Sequence, residues 1–292
     1  MSDLFVNHNS QNDQIGHTPS DRADFPVSKE CEKFNNRTLL EGMTSISALI
    51  NGIRDGINSR TIEKLYFDRE KMHSKGKELG FLRAISTELG FEIELTDADA
   101  INRMTIGSTH GGIVAQCGER PLPSLDAAFL RDENFARPDG FFVMLEGIED
   151  PYNFGYALRS LYAAGVDGVI LSPRNWMGAA GVVARASAGA SERLPMAVCE
   201  PGMAVKLFHE RQYRVLCAGI RDSVGLYEAD MKRPLLLVVG GEKRGISRAV
   251  LDQADQIVRI DYGRDFRGSL SAASAATVLG FEVLRQNTHN QS

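Results

Sequence analysis

The chain has 292 residues, 43% of them apolar and 24% charged, with 33 Lys and Arg against 38 Asp and Glu. That composition suits about two globular domains, with neither the ~18-residue apolar run of a membrane span nor the basic-then-apolar start of a secretory signal, so a cytoplasmic protein is expected. A formal net charge of −5 excludes a protein that coats nucleic acid through an overall basic surface.

Residues 1–40 are rich in Asn, Asp and Ser without periodicity and read as a mobile polar tail. Ile46, Leu49, Ile50 and Ile53 then recur at helical spacing. A strand follows at Ile62–Phe67, an amphipathic helix at 75–89 stopped by Gly90, and a strand at Phe91–Leu95. A short helix from Asp97 and a strand at Gly112–Cys117 complete a small α/β unit, residues 41–118. Pro121, Pro123 and Pro138 mark residues 119–138 as a linker. A second unit, residues 139–292, alternates strands at Phe141–Leu145, Gly168–Leu171, Ala197–Cys199, Arg214–Ala218, Leu235–Val239 and Gln256–Ile260 with helices starting near Asn153, Met203 and Ser247. A last helix spans about 270–286. Strands joined by crossover helices predict an α/β fold with a mostly parallel sheet, whose ligands bind beyond the carboxyl ends of the strands.

Cys31, Cys117, Cys199 and Cys217 contain no C-x-x-C pair, and the six His contain no H-x-x-x-H pair. Reduced, mostly buried thiols are expected, with no disulfide framework and no metal site. Of the 19 Lys and Arg in residues 121–292, 16 are Arg, the side chain whose planar fork suits phosphate as well as structural carboxylates.

Three loops in the second unit carry polar groups suited to chemistry. The first, Asp150 to Arg159, places Asn153 as a helix cap with Arg159 nearly two turns on; capping plus a surface arginine is the bland alternative. The second runs from the Leu235–Val239 strand into Gly240-Gly241-Glu242-Lys243-Arg244-Gly245-Ile246-Ser247. It lacks the Lys of a phosphate-cradling Walker loop, and a purely structural glycine turn is the alternative. The third, Ile260 to Ser271, holds Arg264 and Arg267 and then Ser269 and Ser271, either of which could cap the Ala-rich helix that follows.

Taken together and in order, these segments resemble the three motifs of the SpoU/TrmH-type RNA ribose methyltransferases of the SPOUT superfamily. The matching text is GIEDPYNFGYALRSLYAAGVDGVIL, LLLVVGGEKRGIS and IVRIDYGRDFRGSLSAASAATVLGFEVLRQ, with ASAGASERLP between the first two. The likeness spans residues 139–287. A weaker one over 45–117, closing on Thr109-His110-Gly111-Gly112, is to the family's ribosomal-protein-like RNA-binding domain, a layout similar to the large-subunit ribosomal RNA guanosine branch.

The resemblance implies a deep trefoil knot, a homodimer whose site is completed across the interface, and S-adenosylmethionine held at Gly240, Ile260 and Leu270. It implies methyl transfer to a ribose 2′-hydroxyl, in ribosomal RNA ahead of transfer RNA. Arg159 would stabilise the developing alkoxide, since a guanidinium stays protonated. Asn153 would orient it or the ribose, Glu242 would hold the loops, and Ser269 would bond near the cofactor. Ser271, counted with Arg159, Asn153, Glu242 and Ser269 among the catalytic residues, stands where the family usually has Asn, so a catalytically silent RNA-binding protein is the competing reading. A methyltransferase acting on a protein or small molecule is a third. Arg60, His110, Arg264 and Arg267 are the expected RNA contacts.

Overall fold

The computed structural model describes residues 38–173 and 179–288. The expected polar tail lies outside the described residues except at its end, where Thr38–Glu41 forms a strand, β1, absent from the sequence reading. The chain continues through α1 (Gly42–Arg54), β2 (Ile62–Asp68), α2 (Gly76–Leu89), β3 (Glu92–Thr96), α3 (Ala98–Met104) and β4 (Ile113–Cys117). These strands make a four-stranded sheet in the order β1-β4-β2-β3, in which only the β2–β3 pair is parallel. Leu49 and Ile50 of α1 and Leu79, Leu82 and Ile85 of α2 fill one core with Leu65, Phe67 and Ile113 of the sheet, each burial stabilising by about 1.5–3 kcal/mol.

Residues 119–138 are more than the expected linker. They hold α4 (Leu125–Arg131), capped by Ser124, whose backbone bridges to Val198. Leu125, Ala128 and Phe129 bury against the second sheet, where Phe129 meets Phe208 edge to face at 5.1 Å. Hydrophobic burial thus overrides the proline punctuation.

The second unit runs β5 (Phe141–Glu146), α5 (Pro151–Ala163), β6 (Gly168–Leu171), α6 (Ala180–Ala186), α7 (Ala190–Arg193), β7 (Met196–Val198) and α8 (Pro201–Glu210). It continues with β8 (Arg214–Ala218), β9 (Val224–Gly225), β10 (Leu235–Gly240), α9 (Arg248–Leu251), β11 (Gln256–Arg259) and α10 (Ala272–Thr288). The seven strands lie in the order β7-β6-β5-β10-β8-β11-β9, and every pairing is parallel. Helices α5 and α10 cover one face and α4, α8 and α9 the other, which explains why β5 and β10 read as unbroken apolar runs. Strand order reverses between β5 and β10, whose last residues, Glu146 and Gly240, are paired in register. That switch point is where a sheet of this kind opens a crevice for ligand.

The two units are locked together. Glu192 of α7 is buried and takes hydrogen bonds from Asn58 Nδ2 at 2.6 Å and Arg60 Nε at 3.2 Å. Arg120 donates to the backbone oxygens of Ser191, Leu194 and Ile57, and burial pushes its guanidinium down to about 10, still charged at neutral pH. A Cβ on Gly52 would fall 2.1 Å from the Glu192 backbone oxygen, so α1 approaches α7 as closely as backbones allow. Ala184 of α6 is part of the first unit's core.

This seam corrects one expected RNA contact. The Arg60 side chain is only 4% exposed and committed to Glu192 and Gly118, so it is a structural ion pair. His110 is likewise buried. Its Nδ1 accepts from the Gly112 N–H at 3.0 Å, which leaves the ring proton on Nε2, 3.1 Å from Asn102 Oδ1. Both ring nitrogens shape the turn, and neither is available to RNA. Cys117 and Cys217 agree with the sequence reading: burial raises both thiols to about 12 and leaves them inert.

Candidate active site

Helix α5 begins earlier than the motif suggested. Pro151 occupies its first turn, and the Asp150 carboxylate caps it, accepting from the Tyr152 and Asn153 N–H groups at 3.2 Å each. Asn153 is therefore not the cap, and its side chain is free for other work. Its Nδ2 donates to Glu242 Oε1 at 3.0 Å. The same carboxylate oxygen accepts from the Ala272 N–H at the start of α10, also at 3.0 Å. One side chain of the second loop thus ties the first loop to the third, 89 residues back and 30 residues on. The anion sits between the positive ends of two long helices, where the backbone dipoles favour it.

The third loop is held from both ends. Tyr262 Oη accepts from the Leu270 N–H at 3.2 Å, and Ser271 Oγ accepts from the Ser274 N–H at 3.2 Å. Ser271 is thus the N-cap of α10, and the departure from the family's Asn has a physical account: Ser and Asn cap about equally well. Ser271→Ala should lower stability by about 1 kcal/mol while Ser271→Asn leaves it unchanged, which urea denaturation checks. Ser269 is exposed and forms no hydrogen bond among the described residues.

The second and third loops, with the segment after β8, enclose a cleft of about 740 Å³ beyond the carboxyl ends of β8, β10 and β11. Its walls include Gly240, Ile260 and Leu270, the three expected cofactor contacts, together with Glu242, Ser269 and Arg267. Val239, Ile246, Ile257 and Val258 add apolar surface, and Gly219, Gly241 and Gly268 add bare backbone. An apolar cavity of that size with convergent backbone polar groups fits a nucleoside carrying a short charged tail. No cluster of three or more His, Cys, Asp or Glu that could hold a metal occurs among the described residues.

Arg159 stands apart. It is exposed on α5, has no hydrogen-bond or ion-pair partner among the described residues, and does not line the cleft. It lies in a stripe with Tyr156 and Tyr162, which are 48% and 42% exposed. Arg264 and Arg267 are exposed and equally unpartnered within the described chain. The sequence reading missed Arg221 and Arg244, which also line the cleft without a partner. Their signal was position: each follows the carboxyl end of a strand. The cleft mouth is therefore basic in a chain that is acidic overall.

A parallel sheet wound on both faces, with the second and third loops lining a nucleoside-sized cleft at its carboxyl edge and the first tied to them through Glu242, defines an α/β domain built to hold a nucleotide-like ligand. Residues 140–281 match the SpoU rRNA Methylase family. The chain is 30% identical over 202 residues to the 23S rRNA (guanosine-2′-O-)-methyltransferase RlmB of Shewanella oneidensis, covering 68% of this chain and 79% of the relative. It is 30% identical over 218 residues to the enzyme of the same description from Xylella fastidiosa, covering 74% and 86%. The fold superposes on the SpoU methyltransferase AviRb of Streptomyces viridochromogenes, solved in complex with the cofactor AdoMet, with a TM-score of 0.70 over 88% of this chain and 93% of that one, at 23% identity. The chain belongs to the SpoU rRNA Methylase family. No helix among the described residues is long and apolar enough to cross a membrane.

Proposed function

We propose that this protein transfers a methyl group from S-adenosylmethionine to a ribose 2′-hydroxyl of ribosomal RNA, in the cytoplasm. The observation that carries the reading is the Glu242 knot of hydrogen bonds, which gathers all three motif loops at the mouth of the cleft. The cofactor supplies an electrophilic methyl on a sulfonium, and the protein's task is to align a hydroxyl with it, a contribution of roughly 7–11 kcal/mol. Gly240, Ile260 and Leu270 would hold the cofactor, and Ser269 would bond beside it. Asn153, fixed through its Nδ2, keeps Oδ1 as an acceptor for a ribose hydroxyl. The family's trefoil knot is assigned to the segment from β10 to α10.

The protein acts as a homodimer in this reading. Arg159 lies outside its own cleft on a tyrosine-flanked stripe of α5, so a second copy seated on that stripe brings Arg159 to the neighbouring cleft. There its guanidinium stabilises the developing alkoxide and holds the adjoining phosphate. The small N-terminal α/β unit and the basic cleft rim, including Arg264 and Arg267, present the RNA.

The test incubates the protein with methyl-labelled S-adenosylmethionine and unmodified ribosomal and transfer RNA transcripts, then digests with alkali. A 2′-O-methyl group removes the hydroxyl that alkali needs, so label in a resistant dinucleotide from ribosomal RNA is expected. Label only in mononucleotides would mean base methylation. Label only in transfer RNA would reassign the substrate, and cofactor binding without label in either would favour the silent binder.

A further inference from the structure

The loop from Asp261 to Gly268 is exposed along its whole length yet carries two large aromatic rings. Tyr262 is 39% exposed and Phe266 55%, and their ring centroids are 5.7 Å apart. Neither ring belongs to a hydrophobic core. Both are nonetheless held. Tyr262 is anchored by its hydroxyl to the Leu270 N–H. Phe266 lies down on the loop backbone, so closely that a Cβ on Gly268 would fall 2.5 Å from its Cζ. The two rings line the cofactor cleft on one side and a separate outer hollow of about 580 Å³ on the other, which Gly263, Arg264 and Asp265 complete.

Exposed, fixed aromatic faces flanked by unpaired arginines are the chemistry of single-stranded nucleic acid recognition. A base offers a π-face to the ring, and a guanidinium meets the neighbouring phosphate. A duplex cannot use such a platform, because its bases already stack on one another. We infer that Tyr262 and Phe266 form a stacking platform for an unpaired RNA base next to the methylated nucleotide, with Arg264 and Arg267 on the flanking phosphates. This rests on the reading of RNA as substrate and adds what the cleft selects: an unstacked strand rather than a helix.

The test measures binding of a fluorescein-labelled single-stranded RNA 12-mer by anisotropy, beside a duplex of the same sequence. Phe266→Ala should weaken single-strand binding about tenfold, the loss of one base–aromatic stack, and leave duplex binding unchanged. Phe266→Trp, which keeps a stacking face, should restore it. Arg264→Ala and Arg267→Ala should each flatten the salt dependence of single-strand binding by about 0.7 in the log–log slope. Because Phe266 also lines the cofactor cleft, RNA binding is measured without cofactor, and sedimentation of the protein alone separates a role in self-association. Unchanged sedimentation of Phe266→Ala is expected; a loss of self-association would make Phe266 an interface residue and overturn the platform. Equal RNA binding by wild type and Phe266→Ala overturns the platform alone, whereas wild type binding neither RNA overturns the RNA reading with it.

Discussion

Arg159→Ala should lower turnover by about 10²–10³, the loss expected when one preorganised donor to a developing oxyanion is removed, while affinity for S-adenosylhomocysteine stays within twofold. The second half follows from position, since Arg159 does not line the cleft of its own chain. The sharper experiment mixes two inactive proteins. Glu242→Ala removes the carboxylate that joins Asn153 to Ala272 and so disorders its own cleft. A mixed dimer with Arg159→Ala then contains one intact cleft facing one intact arginine, provided the arginine crosses the interface. Equimolar mixing after subunit exchange should recover roughly a quarter of wild-type turnover, because random pairing makes half the dimers mixed and each has one working site of two. Absence of recovery, with mixed dimers demonstrated, would place Arg159 in its own subunit's cleft or outside the reaction.

Much of this arrangement is legible in the sequence, for physical reasons. Strands such as Arg214–Ala218 and Gly168–Leu171 are buried on both faces, and a short apolar run between turn signals leaves little ambiguity. The ordered motifs pointed to Asn153 and Glu242, which the fold joins by a hydrogen bond, because each stands out within its own loop. What escaped depended on long-range partners. Arg60 and Glu192 are 132 residues apart, and nothing near Arg60 distinguishes a solvated arginine from a buried one. The 38–41 strand exists only because β4 offers an edge to pair with. Helix α4 was hidden among prolines, and Asp150 outcompetes Asn153 as cap because Pro151 fixes the first turn one residue later. The aromatic pair of the third loop was in plain view but has no periodicity to flag it.

The seam between the two units should be the most fragile polar element of the fold. Glu192 is 2% exposed and serves Asn58, Arg60 and the Ser191 hydroxyl, with the half-buried Arg120 close by. Glu192→Ala would leave the buried Arg60 guanidinium without its carboxylate, a loss of about 3–5 kcal/mol. For a protein of this size that is a fall of roughly 6–20 °C in Tm. Because the network joins the small unit to the sheet domain, loss should begin there, with protease cutting near residues 119–124 before the sheet domain melts. Glu192→Gln keeps the shape and one acceptor and should cost less. The double variant Arg60→Met with Glu192→Leu removes both charges together and should recover most of the stability, since a buried pair replaced by apolar groups is often neutral. A melting temperature unchanged in Glu192→Ala would show instead that the apolar contacts of α1 and α6 hold the units without the ion pair. RNA turnover in the double variant carries the functional consequence. If the small unit presents RNA to a cleft in the other, a seam that is rigid without charge should leave the KM for RNA at its wild-type value, whereas Glu192→Ala should raise it without changing affinity for the cofactor.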